Sequence, residues 1–197
     1  MQPADPAGRR GSDLPPALSK LATRANALTL ARLALAPLLA WAICAHEAQL
    51  ALACFALAVA SDLADGRVAR RFGEASPLGG FLDHATDATF VASGLGALAL
   101  LGRVPAPLPL LVLAAFTQYA LDSRALAGRP LRASALGRWN GIAYFVLLGI
   151  PIVRDGLGLA WPANGLAHAL GWALVATSCA SMADRGFALW RARRSAA

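Results

Sequence analysis

The chain has 197 residues, of which 57% are hydrophobic and 15% are charged, and its mean hydropathy is +0.53. These values exclude an ordinary soluble domain of this length and predict one polytopic membrane domain. The formal net charge is +7. Because membrane proteins concentrate arginine in loops that face anionic lipid, this charge does not require nucleic acid, and we expect no nucleic-acid partner.

The N-terminal region differs in composition from the rest. Residues 1–13 are rich in proline, glycine and charge, which predicts a disordered tail. The stretch from Met1 to Arg24 lacks the apolar core of a signal peptide. Leu14 to Arg24 is compatible with a short interfacial helix, and residues 14–194 are predicted to form a single membrane domain.

Six apolar segments follow, and each is close to the length that a membrane-spanning helix needs. The fold class is therefore predicted to be all-α, a polytopic membrane protein with six transmembrane helices. The predicted segments are about 27–45, 48 into an aspartate-rich motif, 79–101, 107–121, 141–153 with a start as early as 136, and 164–182 with a polar extension to 194.

The placement of arginine predicts the orientation of these helices. Alternate connections are basic, whereas the opposite connections carry only Arg103 and Arg154. We therefore expect an integral protein of the bacterial inner membrane with both termini and the active site on the cytoplasmic side. The basic positions are Arg9, Arg10, Lys20, Arg24, Arg67, Arg70, Arg71, Arg124, Arg129, Arg132, Arg138, Arg185, Arg191, Arg193 and Arg194.

The three cysteines lie in apolar segments. Cys44, Cys54 and Cys179 show no metal-binding or redox spacing. We expect them to be small buried hydrophobic residues.

Four aspartates interrupt the apolar pattern where the second and third segments meet. Asp62 and Asp65 are three residues apart, and Asp83 and Asp87 are four apart, so each pair shares one helical face. The two pairs are equally distant from the middle of the connection near Glu74. In an antiparallel hairpin, equal offsets lie side by side, so the four carboxylates are predicted to converge.

Converging carboxylates repel one another unless a cation neutralises them. An all-oxygen set suits hard ions such as Mg²⁺, Mn²⁺ or Ca²⁺ rather than zinc, and four acids could hold two divalent ions. The alternative is a set of interhelical salt bridges with Arg67, Arg70 and Arg71, but ionisable residues within a membrane are usually functional. An EF-hand is excluded because its ligands alternate along a loop and end in glutamate.

Small residues and an arginine lie among these acids. Gly66 allows a ligand to approach the backbone, Ala69 leaves room beside the metals, and Gly79 clears the facing helix. Arg70 can form paired hydrogen bonds with a phosphate. Each residue alone also fits an ordinary role, as a helix terminator, lipid-facing filler or charged anchor. Together they favour a phosphate or pyrophosphate site.

This pattern resembles the signature of the CDP-alcohol phosphatidyltransferases at every fixed position. The matching residues are Asp62-xx-Asp65-Gly66-xx-Ala69-Arg70, then eight residues, then Gly79-xxx-Asp83-xxx-Asp87. A looser match lies in the first segment, where Asn26-xx-Thr29-xx-Arg32 followed by Pro37 is similar to the family's "NxLTxxRxxxxP".

The resemblance implies a homodimeric membrane enzyme of phospholipid biosynthesis. Such enzymes transfer a phosphatidyl group from a CDP-linked lipid donor to an acceptor hydroxyl and release CMP. It implies two divalent ions, Mg²⁺ or Mn²⁺, with Asp87 as catalytic base as well as metal ligand. The implied metal ligands are Asp62, Asp65, Asp83 and Asp87, and the implied donor-binding residues are Asn26, Thr29, Gly66, Ala69, Arg70, Ser76 and Gly79, with Arg32 near the phosphates.

The acceptor is left open by the sequence. The family's acceptors include glycerol 3-phosphate, inositol phosphate, inositol, serine, phosphatidylglycerol and diacylglycerol. Arginines around the fourth connection favour a phosphorylated acceptor, or reflect orientation alone. Glycerophosphate-specific members carry "GKxKTxxQ" where this chain has residues 137–144, "GRWNGIAY", which argues against glycerol 3-phosphate. The candidate acceptor residues are Arg124, Arg132, Ser134 and Arg138.

Two other functions are compatible with clustered acids in a membrane. An intramembrane prenyltransferase also uses aspartates and Mg²⁺ on a pyrophosphate, but typically has more spans and a different aspartate spacing. A non-enzymatic cation transporter should place its acids near the bilayer midplane with a path to both sides. The aspartates here are predicted to lie at one edge of the membrane, which argues against transport.

Overall fold

A computed structural model describes residues 24–72, 77–122 and 135–194. Within these ranges the chain forms six helices and no strand, which confirms the all-α class. The predictions for the tail, and for residues 14–23, lie outside the described residues. The helices are α1 (Arg24–Cys44), α2 (Ala48–Phe72), α3 (Pro77–Leu100), α4 (Leu108–Asp122), α5 (Ala135–Gly156) and α6 (Asn164–Arg194).

Each predicted segment corresponds to one observed helix, although residues 45, 101 and 107 of the predicted segments lie just outside the helices. α2 continues through the whole aspartate motif, so Asp62 and Asp65 lie on a regular helix. α5 begins six residues before Gly141, because Arg138 and Asn140 are helical although their polarity hides them from an apolar pattern. α6 includes the predicted polar extension to Arg194.

Three helices end in the same way at the end of the bundle away from the aspartates. His46, Gly102 and Gly158 follow α1, α3 and α5 and have φ between 61° and 68°. In each case the next residue donates a backbone hydrogen bond to a carbonyl five residues earlier, for example Arg103 to Leu98 at 2.9 Å. This left-handed cap satisfies carbonyls that a helix end leaves free.

The contacts between helices form a closed ring, in which α1 lies between α2 and α3. α1 packs against both α2 and α3, and α2 packs against α5. On the other side, α3 packs against α4 and α5, while α6 packs against α4 and α5. We expected α2 and α3 to lie side by side as a hairpin; the structure instead joins them mainly through α1, which lies between them.

The bundle has an apolar core to which all six helices contribute. Leu39, Phe90, Leu95, Leu98 and Leu148 have almost no exposed surface. The helices approach closely at Gly94, where an added Cβ would lie 2.6 Å from Cδ1 of Leu148. The side chains that bury α3 therefore fix the depth of the aspartates that lie nearer its N-terminus.

The exterior of the bundle is apolar as well. Two helical stretches, Leu136–Gly156 and Asn164–Phe187, are long and apolar enough to cross a membrane; the other apolar stretches are shorter, such as Ala48–Ala64. Six spans are therefore not established. Large apolar side chains are nevertheless exposed on every helix, which suits a lipid environment. Examples are Leu30, Leu57, Leu100, Leu110, Val146 and Leu170.

An ion-pair network holds the end of the bundle away from the aspartates. Asp155 accepts hydrogen bonds from Arg103 and from Arg154, whose Nε lies 2.7 Å from Asp155 Oδ1. Arg154 also donates to the carbonyl oxygen of Pro162 and to Asn164. The two arginines that interrupt the alternation of basic loops thus have a structural role, because they tie the loops after α3 and α5 to α5.

The expectation for the cysteines was wrong at two of three positions. Cys54 is 2% exposed, but Cys44 and Cys179 are exposed on the helix surface. The reason is physical: in a chain whose exterior is also apolar, hydrophobic surroundings in sequence do not distinguish an inward face from an outward one.

Candidate active site

Three of the four aspartates meet in the folded chain. One carboxylate oxygen each from Asp62, Asp83 and Asp87 lies within 4.8 Å of the other two. Asp62 comes from α2, and Asp83 and Asp87 share one face of α3. Asp65 lies one turn beyond Asp62, but its side chain is outside the described part of the chain. The structure thus shows the predicted convergence for three of the carboxylates.

A buried arginine lies at the centre of this cluster. Arg32 of α1 is 0% exposed. Its Nη1 lies 3.1 Å from Asp83 Oδ1 and 3.4 Å from Asp62 Oδ1, and it donates a hydrogen bond to Asp87 Oδ1. Its Nε donates to Ser61 Oγ at 3.2 Å. Because α1 lies between α2 and α3, Arg32 is the residue through which the acids of the two helices are joined.

The charges within the cluster do not balance. Among the side chains that the structure describes, one guanidinium meets three carboxylates, so acidic groups outnumber basic ones in the cluster. The side chains of Asp62, Asp83 and Asp87 are 47%, 30% and 34% exposed, so a further cation can reach them. Oxygen donors at this spacing fit a hard divalent ion such as Mg²⁺ or Mn²⁺, and Arg32 shows that the site accepts a positive charge.

The salt-bridge alternative is therefore seen only in part. The aspartates do pair with an arginine, but the partner is Arg32 on α1 rather than Arg67, Arg70 or Arg71, whose side chains are outside the described set. The resemblance of the first segment to the family motif implied a place for Arg32 near the phosphates. A motif within one helix does not show which other helices α1 contacts. A charged residue within an apolar helix was the signal that could have placed it beside the acids.

Of the other predicted site residues, some lie on the helices of the cluster and some lie outside the described residues. Thr29 is buried one turn before Arg32 on α1, and Gly79 lies one turn before Asp83 on α3. Arg138 lies in the first turn of α5 and is exposed. For Asn26, Gly66, Ala69 and Arg70 the structure gives a helical backbone without a described side chain. Ser76, Arg124, Arg132 and Ser134 lie outside the described residues.

A cavity of about 660 Å³ opens beside the aspartates, bounded by α3, α4, α5 and α6 and, at Asp62, by α2. Asp62 and Asp87 line it, so it is continuous with the acidic cluster. Its walls include the apolar side chains of Val91, Val112 and Phe116. The cavity also receives a set of polar side chains from several helices, namely His84, Gln118, Tyr119, Arg138, Asn140, Tyr144, Ser178, Ser181 and Arg185.

Most of these polar residues were missed by the sequence analysis. Gln118, Asn140, Ser181 and Arg185 lie on three different helices, so no local motif joins them. Asn140 and Ser181 are buried at 6% and 7% exposure. Isolated polar residues in otherwise apolar helices were a signal for them, because such residues usually face the interior of a bundle or a water-filled cavity.

Aromatic contacts fix the rim of the cavity. His84 stacks on Tyr119 with ring centroids 6.0 Å apart, and the guanidinium carbon of Arg185 lies 5.3 Å from the centroid of the Tyr119 ring. His84 Nδ1 is 4.0 Å from Asp83 Oδ2. Tyr119 therefore contacts both His84 and Arg185 at the rim of the cavity.

Comparison with known proteins agrees with this geometry. Residues 22–180 match the CDP-alcohol phosphatidyltransferase family. The chain belongs to the CDP-alcohol phosphatidyltransferase family. The match includes Arg32 and all four aspartates, so the acidic cluster lies within the part of the chain that defines the family.

The curated relatives of this CDP-alcohol phosphatidyltransferase carry two kinds of name. A "Cardiolipin synthase (CMP-forming)" of Streptomyces coelicolor is 31% identical over 165 residues, 79% of this chain and 75% of the relative. A "Probable phosphatidylglycerophosphate synthase" of Mycobacterium tuberculosis is 38% identical over 93 residues, 44% of each chain. A human "Cardiolipin synthase (CMP-forming)" is 34% identical over 89 residues, 45% of this chain and 30% of the relative. No solved structure matches the chain.

Proposed function

We propose that this protein transfers a phosphatidyl group from a CDP-linked lipid donor to the hydroxyl of an acceptor alcohol and releases CMP. The observation that carries the proposal is the meeting of Asp62, Asp83 and Asp87 at the edge of the 660 Å³ cavity, in a chain of the CDP-alcohol phosphatidyltransferase family. A polar cluster open to a cavity with apolar walls suits a reaction between an amphiphilic donor and a hydroxyl.

In this proposal Asp62, Asp65, Asp83 and Asp87 hold two divalent ions, Mg²⁺ or Mn²⁺. When bound, such ions neutralise the pyrophosphate of the donor and stabilise CMP as the leaving group. The excess of carboxylates over guanidinium groups among the described side chains around Arg32 supports this assignment. Asn26, Thr29, Gly66, Ala69, Arg70, Ser76 and Gly79 are proposed to bind the donor, by their match to the family motif.

Asp87 is proposed as the catalytic base. It belongs to the cluster and also lines the cavity, so its carboxylate can accept the proton of an acceptor hydroxyl held there. The hydroxyl oxygen then forms a bond with the phosphorus that carries the lipid, and the bond from that phosphorus to the oxygen of CMP breaks. Arg32 positions Asp87 by donating a hydrogen bond to its Oδ1.

The cavity is proposed as the acceptor site. Arg138 and Arg185 both line it, and arginine forms paired hydrogen bonds with phosphate oxygens. These two residues, on α5 and α6, support a phosphorylated acceptor, to which Arg124, Arg132 and Ser134 of the preceding connection are proposed to contribute.

The proposal includes the arrangement in the membrane. Six spans with both termini and the active site facing the cytoplasm of a bacterial cell agree with the alternation of basic loops. The pairing of Arg103 and Arg154 with Asp155 supports this orientation, because it gives the two exceptions a structural reason. A homodimer is proposed from the family resemblance.

The test is CMP release by the purified protein. Vesicles containing CDP-diacylglycerol, with Mg²⁺ and a panel of acceptor alcohols, should release CMP and form a new lipid only when an acceptor is present. EDTA should abolish the release. Transfer of a prenyl group, or cation flux without CMP release, would contradict the proposal and favour the prenyltransferase or the transporter.

A further inference from the structure

A second cavity, of about 230 Å³, lies at the end of the bundle away from the aspartates. It shares no lining residue with the 660 Å³ cavity. Its polar lining consists of His46, Arg103 and Asp155. Its floor is made by buried apolar side chains of α1, α2, α3 and α5, namely Ala42, Ile43, Ala51, Leu98, Pro151 and Ile152.

The two arginines of the ion-pair network at this end use their donors to different extents. Arg154 is 9% exposed, and all three of its guanidinium nitrogens are engaged, with Asp155, the carbonyl oxygen of Pro162 and Asn164. The side chain of Arg103 donates one hydrogen bond among the residues that the structure describes, from Nη1 to Asp155 Oδ2. A guanidinium has five N–H groups, so most of those on Arg103 are left for another acceptor.

The remaining N–H groups of Arg103 are accessible. The side chain is 23% exposed and lines the second cavity. Within the described ranges, the one side-chain nitrogen or oxygen that is buried and lacks a hydrogen-bond partner is Oε1 of Gln118, so no donor of Arg103 is sealed in the interior without a partner. Guanidinium groups form strong, often paired, hydrogen bonds with oxyanions such as phosphate. The second cavity therefore suits a ligand that carries an oxyanion.

The charges around the second cavity also favour an anion. Among the described side chains of the network, two guanidinium groups meet one carboxylate. Glu47 is exposed and does not line the cavity, whereas its neighbour His46 does. His46 has a φ of 61°, a conformation for which the caps after α3 and α5 use Gly102 and Gly158. An imidazole is thus placed beside Arg103 at a position where glycine would strain the backbone least.

Membrane lipid is a source of oxyanions at this end of the bundle. Trp41 and Leu100 lie within one turn of the second cavity, on α1 and α3, and are 57% and 82% exposed. Exposed apolar surface therefore continues to the level of Arg103, and tryptophan is typical of the zone where a membrane meets water. A phospholipid can bring its phosphate to Arg103 while its apolar part covers the floor of the cavity, which an inorganic phosphate ion would leave uncovered.

We propose that the second cavity binds a membrane phospholipid, whose phosphate accepts hydrogen bonds from Arg103 and lies beside the ring of His46. Asp155 holds the guanidinium of Arg103 in place, and Arg154 in turn fixes Asp155. The site needs neither a divalent ion nor a CDP-linked donor, so it goes beyond the proposed function and does not rest on it.

Photolabelling of the purified full chain in detergent tests the site. The probe is phosphatidylmethanol with a diazirine near the carbonyl of one acyl chain; its headgroup has no hydroxyl, so it cannot act as an acceptor alcohol. EDTA is present, and no CDP-linked lipid is added. Peptides that contain residues 42–51 and 98–103 should be labelled more strongly than the exposed surface of α6 around Leu170, which reports lipid at the general surface.

Two variants should lower the ratio of labelling between these peptides and the Leu170 region. Arg103→Gln should lower it by about tenfold, because charge-assisted hydrogen bonds to the phosphate are lost. Ala48→Leu keeps every charge and fills part of the cavity from a partly buried position, so it should lower the ratio without disturbing the network. Arg194→Gln removes one positive charge at the far end of α6 and is the control, which should keep the wild-type ratio.

Competition identifies the ligand chemistry. Unlabelled phosphatidylmethanol should suppress the labelling, whereas dioleoylglycerol and millimolar inorganic phosphate should not. Equal suppression by dioleoylglycerol would show that phosphate is not recognised, and suppression by inorganic phosphate would assign the site to free phosphate ions; either result would overturn the inference. A wild-type ratio close to one, or a ratio that Arg103→Gln leaves unchanged, would also overturn it. None of these outcomes bears on CMP release, which is proposed for the opposite end of the bundle.

Discussion

At the scale of single residues, Arg32 and Asp87 have different proposed roles in the acidic cluster. Arg32 offsets the charge of the carboxylates, and Asp87 takes part in the reaction. Arg32 is completely buried and contacts all three described carboxylates, whereas Asp87 is reached from both the cluster and the cavity. A change at Arg32 should therefore affect mainly stability, and a change at Asp87 should affect mainly the reaction.

Asp87→Asn keeps the shape of the side chain but removes the proton acceptor. CMP release should fall by about 10²- to 10⁴-fold, the usual contribution of a general base. The chain should still fold, because the amide can accept the hydrogen bond from Arg32. Asp184→Asn, which changes an exposed carboxylate of α6, is the control and should retain full activity. Full activity of Asp87→Asn would rule out its role as base.

Arg32→Gln removes the positive charge from among the three carboxylates. In EDTA, thermal unfolding in detergent should show a loss of about 1–3 kcal/mol, because the acids then repel one another without a counter-charge. Added Mg²⁺ should recover part of this loss. Ser61→Ala removes only the hydrogen-bond partner of Arg32 Nε and should be much milder. An effect of Arg32→Gln that is the same with and without Mg²⁺ would contradict a shared cation site.

The residues of the cluster differ in how far the sequence could predict them. Asp62, Asp83 and Asp87 were found because their spacing places them on single helical faces. Arg32 was assigned to phosphates because a motif within α1 does not state which helices α1 contacts. Gln118 was missed because its place on the cavity wall depends on α6, 64 positions away in sequence, where the carbonyl oxygen of Met182 accepts its hydrogen bond.

At the scale of helices, small residues set the distances between elements. Gly171 on α6 faces the connection before α4, where a Cβ would lie 2.3 Å from Cδ of Pro105. The proline ring cannot rotate away, so any larger side chain must push α6 from its position. Since α6 carries Ser181 and Arg185 into the cavity, its position also affects the proposed acceptor site.

Gly171→Ala should destabilise the protein by about 1–3 kcal/mol, measured by thermal unfolding in detergent. Gly186→Ala is the matched control on the same helix, because an added Cβ there meets nothing within 4 Å. That change should be neutral or stabilising by up to about 1 kcal/mol, since alanine favours the helix. Equal stability of the two variants would show that α6 does not pack against Pro105 in this way.

The positions of the helices in the sequence were largely predictable, but the pairs of helices that pack against one another were not. Apolar runs alone located α3 to α6, and the left-handed conformations of Gly102 and Gly158 that end α3 and α5 were found only in the structure. Where a helix begins with polar residues, as α5 does, its predicted start differs from the observed start by several residues. The insertion of α1 between α2 and α3 depends on side-chain packing around Leu39 and Phe90, which periodicity alone does not describe.

At the scale of the whole molecule, charge is distributed unequally between the two ends of the bundle. The aspartate cluster and Arg138 and Arg185 lie at one end, and the network of Arg103, Arg154 and Asp155 closes the other. The end that carries the aspartate cluster, Arg138 and Arg185 should face the cytoplasm, where anionic lipid favours arginine.

Labelling of single cysteines in sealed cells tests this orientation. In a background with the three native cysteines replaced, Ala106→Cys in the connection after α3 should react with a membrane-impermeant maleimide added outside. Arg194→Cys should react only after the cells are opened. The reverse pattern would contradict the proposed topology, and labelling of both from outside would contradict the three spans, α4 to α6, that the proposal places between Ala106 and Arg194.

Binding of Mn²⁺, followed by electron paramagnetic resonance of the purified protein, tests the account most directly. The wild type is predicted to remove two equivalents of Mn²⁺ per chain from the free-ion signal, and Asp83→Asn is predicted to lose this binding while Asp184→Asn retains it. A free-ion signal that the wild-type protein does not diminish would show that the carboxylates around Arg32 are not a divalent-cation site.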